Sequence, residues 1–175
     1  MQVKVLNDAQ LATQVFTEDS LVICIVDPEE AIPDAIGSDD STATNVLFLD
    51  FKDQNPETQE QFDDYESHFN LEEVTEVLQS LEDPSIDVTY VYSTQTTARA
   101  LAVAAGLLSA TEKDCKEVMY QIVSQDPTTH PNYWVVAMFD YMLGLSGKLT
   151  TAADDYLATG QVISKTGQVI SGVSQ

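Results

Sequence analysis

The chain has 175 residues, 43% of them hydrophobic, with 29 Asp and Glu against 7 Lys and Arg, a formal net charge of −22. That length suits one domain with a core that needs no disulfide or metal, and the apolar fraction argues against wholesale disorder. The charge disfavours direct binding to nucleic acid or anionic membrane, whose phosphates need basic partners, and no apolar run approaches the ~20 residues that span a bilayer.

The N-terminus, MQVKVLNDAQ, lacks a charged region followed by an apolar one, so no secretion signal is expected and the placement predicted is cytoplasmic. Cys24 and Cys115 form no metal-type spacing and are expected to be reduced. The acidity is uneven: between Glu18 and Asp87, 21 Asp or Glu stand against Lys52 alone. Two readings follow. One is a solvated, solubilising surface. The other is a decoy that mimics DNA and is offered to a protein that binds it, which double rows of carboxylates at phosphate-like spacing would favour.

In chain order, Val3–Leu6 is a short strand and a weak helix follows through Leu11 and Val15. The β-branched run Leu21 to Val26 predicts a strand covered on both faces, and Asp27-Pro28 stops it. A Pro/Gly/Asp-rich loop runs to about Thr44, and NVLFLDF makes the next strand, Asn45 to Phe51. After a polar stretch, Asn70 caps a helix with Glu73 placed to complete a capping box. Its buried stripe is Leu71, Val74, Leu78 and Leu81, with Glu72, Glu73 and Glu76 facing water. Pro84 closes that segment, and Val88–Tyr92 is a strand.

From Ala98 onward the pattern is helical. Ala98–Ala110 is nearly all apolar and predicts a central helix packed on most sides. A second helix is expected over Thr111–Ser124 with Thr111 as its cap. A third carries Trp134, Val135, Met138, Phe139 and Met142 along one face, a stripe that reads as core. Tyr90, Tyr92, Tyr133 and Tyr141 read as packing residues. Near the end the hexapeptide TGQVIS occurs at 159–164 and again at 166–171. It fits either a hairpin turning at Lys165-Thr166-Gly167, with Gly167 at positive φ, or a tail that orders on a partner. Strands interleaved with helices, then helices alone, predict an α/β fold with a mostly parallel central sheet of four to five strands flanked by helices, and a helical C-terminal half.

The stretch YVYSTQTTARALAVAAGLL, 90–108, runs from a strand through a short loop to an Ala-rich helix, and it holds Arg99, the one arginine of the chain. This layout resembles the phosphate-binding loop of protein tyrosine phosphatases, which reads H-C-x-x-G-x-x-R-[ST]. Here the frame is Tyr92, Ser93, Thr94, Gln95, Thr96, Thr97, Ala98, Arg99, Ala100. From about Val22 to Leu149 the chain is similar to the compact dual-specificity phosphatase-like proteins of bacteria and archaea. VDPEE follows the second strand, VLFLDFKD precedes the long polar loop, and DPTTHPNYWVVAMFDYMLGLSGKL resembles a late helix of that family. The resemblance implies a phosphatase-like domain over 1–150 and a C-terminal extension over 151–175 that carries the repeat.

Such a site needs a thiolate activated by a helix N-terminus, backbone amides around the phosphoryl oxygens, an arginine that grips them and an Asp that protonates the leaving oxygen. The resemblance places the phosphate-binding positions at Ser93, Thr94, Gln95, Thr96, Thr97, Ala98 and Arg99. It places the general acid at Asp53, 40 residues upstream of Ser93, with Asp50 as the runner-up. Four of the nine positions depart from the motif. Ser93 stands where the Cys belongs, and its hydroxyl ionises far less readily than a thiol. Tyr92 replaces the His, Ala100 replaces the hydroxyl residue, and Thr96 replaces the Gly, where a β-branched residue resists a left-handed backbone.

The expectation is therefore a phosphatase-like domain without catalysis, acting as a binding or regulatory module for a protein partner or a phosphorylated ligand, phosphate included. The alternatives are the acidic decoy and a weak residual phosphatase with Ser93 or a water as nucleophile. Outside the resemblance, Arg99 reads as an ordinary partly buried arginine paired with Asp50, Asp53 or Asp87. No cofactor is expected. His68 and His130 stand apart with no metal-binding companions.

Overall fold

The β-branched run forms the middle of the sheet. β2 (Ser20–Val26) is buried along its whole length. It pairs in parallel with β3 (Asn45–Asp50) on one side and β4 (Val88–Ser93) on the other. β1 (Gln2–Leu6) lies outside β4, so the sheet is four-stranded and all parallel, in the order β1-β4-β2-β3. The computed structural model describes residues 2–28, 30–39, 41–54, 68–112 and 114–172. The polar stretch 55–67, with a share of the acidic run, lies outside the described residues, as do Glu29 and Asp40.

Alternation along β2 divides the core in two. Leu21, Ile23 and Ile25 join the larger core beneath the long helices, and Val22, Cys24 and Val26 join a smaller one on the opposite face. The smaller core is closed by Leu11 of α1 (Asp8–Leu11) and Ile36 of α2 (Asp34–Gly37). Helix α1 is a single turn and does not reach Val15, which is 68% exposed. Helix α2 is a short element inside the stretch expected to be loop. Burial pushes the Cys24 thiol up to about 12, so it is an inert packing group.

Helix α3 (Leu71–Gln79) starts at the predicted capping box. The Asn70 side chain accepts from the amides of Glu72 at 2.9 Å and Glu73 at 3.4 Å, and the Glu73 carboxylate accepts from the Asn70 amide. Its buried pair is Val74 and Val77, while Leu71 is exposed and Leu78 and Leu81 are half-buried. The stripe is thus rotated from the expected one. The rotation brings Glu73 partly inside, where burial, ahead of the neighbouring Asp50, Glu76 and Glu72 charges, raises its carboxyl to about 7. A carboxyl raised on folding contributes stability below its unfolded pKa and loses it as pH rises through about 7. Glu73→Gln keeps the acceptor without the charge. Thermal melts should find that variant more stable than wild type at pH 8, with the gap closing toward pH 5; a gap constant with pH would refute the shift.

Helix α4 (Ala98–Thr111) runs under the sheet and is buried from Arg99 through Leu107, as its composition predicted. Helix α5 (Cys115–Val123) is capped by Asp114, which accepts from the amides of Lys116 and Glu117. Thr111 is the last residue of α4, so the cap expected there is corrected to Asp114. Helix α6 (Tyr133–Met142) begins at Asn132 and turns Val135, Val136 and Phe139 inward. Trp134 and Met138 are half-buried, and Met142 is exposed. Tyr90 and Tyr92 pack as expected, but Tyr141 is 75% exposed and Tyr133 42%.

Helix α7 (Lys148–Thr159) was not anticipated. It crosses the boundary expected between residues 150 and 151 and buries Leu149, Ala152, Ala153 and Tyr156 in the main core. Buried Asp140 holds its start, accepting from the amides of Gly147 at 2.7 Å, Leu149 at 2.7 Å and Thr150 at 3.0 Å. The TGQVIS repeats pair with each other as an antiparallel hairpin, β5 (Gln161–Ile163) with β6 (Val169–Ser171). Gly167 turns it with φ 81°. No helix among the described residues is long and apolar enough to cross a membrane.

Candidate functional site: the loop from β4 to α4

The loop leaves the C-terminal end of β4, a strand flanked on both sides within the sheet, and enters the buried helix α4. The amide of Thr94 continues the ladder to Ile25 O at 3.0 Å. The chain then turns sharply: Thr96 N donates to Thr94 O at 2.7 Å around Gln95, whose φ is 65°. The left-handed position was expected to fall at Thr96. It falls at Gln95, so the β-branched residue is spared the strain. Instead the Thr96 hydroxyl accepts from Ala98 N at 3.0 Å and satisfies the first turn of α4.

Ser93 is 3% exposed. Its hydroxyl donates to the Thr96 carbonyl and accepts from the Ala100 amide at 3.3 Å. Both bonds tie it into the loop's own backbone rather than aim it at an incoming group.

Arg99 is fully buried. One terminal nitrogen donates to Asp27 Oδ1 and to the Phe51 carbonyl. The other donates to the Thr94 carbonyl at 2.8 Å and its hydroxyl at 3.3 Å. The guanidinium lies 5.8 Å from the centre of the Phe51 ring. Its acidic partner is Asp27, at the end of β2, and not the expected Asp50, Asp53 or Asp87.

Carboxylates also take the donors around the rim. Glu30 accepts from the Thr94 hydroxyl at 2.5 Å and from Gln95 Nε2 at 2.6 Å. Those two bonds, with a smaller effect of the Arg99 charge, hold its carboxyl below the ordinary value. Asp53 accepts from the Thr96 hydroxyl at 3.3 Å and from Asn132 Nδ2 at 2.8 Å. Asp126 accepts from the Thr97 hydroxyl. Burial pushes Asp126 up, but hydrogen bonds from Thr128 and Thr97 outweigh it and the pKa lies below the ordinary value. Asn132 also donates its amide to Ala98 O at 3.0 Å while its side chain caps α6, so one residue fastens loop, rim and helix together.

Asp53 and Ser93 through Arg99, the positions picked out in the sequence, therefore do meet in one place. Asp50 ends β3 and stays outside this network. Asp27, Glu30, Asp126 and Asn132 were not singled out as functional residues. A signal existed, because VDPEE, VLFLDFKD and DPTTHPNYW were the segments that carried the resemblance, and they supply the residues closing on the loop. His68 and His130 lie apart, the latter with its ring 4.8 Å from that of Tyr156. Among the described residues no group of three or more His, Cys, Asp and Glu is arranged to hold a metal.

The loop thus has Asp27 on the Arg99 guanidinium, whose terminal nitrogens are both engaged, and Glu30, Asp53 and Asp126 on its side-chain donors. Among the described residues its rim carries acceptors, and the Ser93 hydroxyl is bonded within the loop. No family model matches the chain, and no curated protein or solved structure matches it either.

Proposed function

We propose that the protein is a non-catalytic binding module, built like a dual-specificity phosphatase whose loop is closed by the protein's own acids, and that its ligand is a protein. The observation that carries this reading is the complete burial of Arg99 against Asp27, Phe51 O and Thr94 O. A phosphoryl group would have to displace a carboxylate from that arginine and then sit beside Glu30, Asp53 and Asp126. Like charges within a few ångströms oppose each other strongly wherever water is partly excluded. The order of strand, loop, arginine and distant Asp supports the phosphatase-like architecture; the closure supports loss of its chemistry.

The kind of partner follows from the rim. Exposed Glu30 and the partly exposed Asp27, Asp53 and Asp126 complement a basic side chain, and the net charge of −22 steers basic surfaces toward it. Residual catalysis is tested by aryl phosphate turnover in wild type and in Ser93→Cys. Neither should exceed the uncatalysed rate, because a restored thiol still faces an occupied arginine. Turnover that vanishes when Arg99→Ala is added would overturn the proposal.

A further inference from the structure

β1 is an edge strand, and its outer side carries the peptide groups of alternate residues. Those groups belong to Val3 and Val5, and a single side chain meets both. Gln125, just beyond the end of α5, accepts from Val5 N at 2.8 Å through Oε1 and reaches Val3 O at 3.4 Å through Nε2. A carboxamide that accepts from one residue and donates to the residue two before it does what the peptide group of a neighbouring strand would do. Beside it a cleft of about 360 Å³ runs along the strand toward α1. Lys4, Gln10, Thr13 and Gln14 line it, and none of its lining residues is acidic.

We propose that Gln125 guards the β1 edge by standing in for a fifth strand, and that the occupant it excludes is β1 of a second copy of this chain. No carboxylate lines the cleft, so repulsion between two acidic copies reaches this edge only from a distance, and physiological salt weakens it beyond about 8 Å. Lys4, the one charge on the strand, lies 5.5 Å from the Tyr90 ring centre and so leans over β4. Two copies of β1 related by a two-fold axis would pair antiparallel and extend the two sheets into one, an isologous contact that closes at the dimer. The guard acts by occupying Val5 N–H and Val3 O, two of the four outward groups of Val3 and Val5 that such pairing requires.

The test uses the full chain. Light scattering over a wide concentration range should find wild type and Gln125→Glu monomeric, since Glu keeps the acceptor for Val5 N–H and adds repulsion. Gln125→Ala should double in mass as concentration rises, with the Val3 and Val5 amides gaining protection from hydrogen exchange in the dimer. Gln125→Ala that stays monomeric would overturn the proposal. So would association that leaves those two amides unprotected, because that pattern belongs to partial unfolding and not to edge pairing.

Discussion

Arg99→Met should be among the most damaging single substitutions in the chain, costing about 3–5 kcal/mol, the range for removing one partner of a buried ion pair. Methionine fills much of the volume, so the loss is electrostatic. It leaves Asp27 without its cation and the Phe51 carbonyl without the Arg99 donor, while the Thr94 carbonyl keeps only the Thr96 amide. The Asp27 side chain is 24% exposed, so water recovers part of its solvation and the lower end of the range is expected. For a domain of this size each kcal/mol moves the melting temperature by roughly 2–4 °C, and chemical denaturation would read the loss directly. Adding Asp27→Leu should return much of it, because a buried pair replaced by apolar groups is often close to neutral. A single variant as stable as wild type would mean that the loop does not depend on this pair.

Gly106→Ala comes next, and its sign is the reverse of what helix propensity gives. In an open helix the change would stabilise by about 1 kcal/mol. Here a Cβ on Gly106 would lie 2.3–2.4 Å from Cγ, Cδ1 and Cδ2 of Phe139, where α4 packs on α6. Phe139 is fully buried and packs its ring 5.6 Å from that of Phe69, so it has little room to retreat. Overpacking of this kind costs about 1–3 kcal/mol, occasionally more, and outweighs the helical gain. In a Phe139→Ala background the same substitution should be neutral or favourable, since the methyl then enters the space the ring vacates. Equal losses in both backgrounds would show that the ring is not the obstacle.

These two residues illustrate what the sequence made legible. The apolar run 98–110 announced a buried helix, and the β-branched run 21–26 announced a strand covered on both faces, because such patterns have few other stable solutions. The partner of Arg99 was not legible, since Asp27 is 72 positions away and several other acids were equally plausible. Nor was the left-handed turn at Gln95, a residue type with no marked preference for it. Helix α7 is not legible in the sequence because its inward face is built from Leu149, Ala152, Ala153 and Tyr156 among Thr and Asp, a weak apolar signal. Its start is stabilised by Asp140, a side-chain cap from the preceding helix that no local pattern marks. The hairpin was legible as one of two alternatives, and what decides between them is packing: Val162 is buried against α5 and α7.

The same logic limits what residue spacing alone says about ligands. Spacing places an arginine six residues after Ser93, but only the fold determines what that arginine holds. Three carboxylates beyond Asp27 then use the hydroxyl and amide donors at the rim. Four acids of the chain itself thus occupy the donors of this loop.

The closed loop is tested most directly by calorimetric titration of inorganic phosphate, a phosphotyrosine peptide and its unphosphorylated counterpart into the wild-type protein. No saturable heat from phosphate, and no difference between the two peptides, is the result this account predicts. Saturable binding of phosphate, or a preference for the phosphorylated peptide that is lost in Arg99→Lys, would contradict it and make the loop a working phosphate receptor.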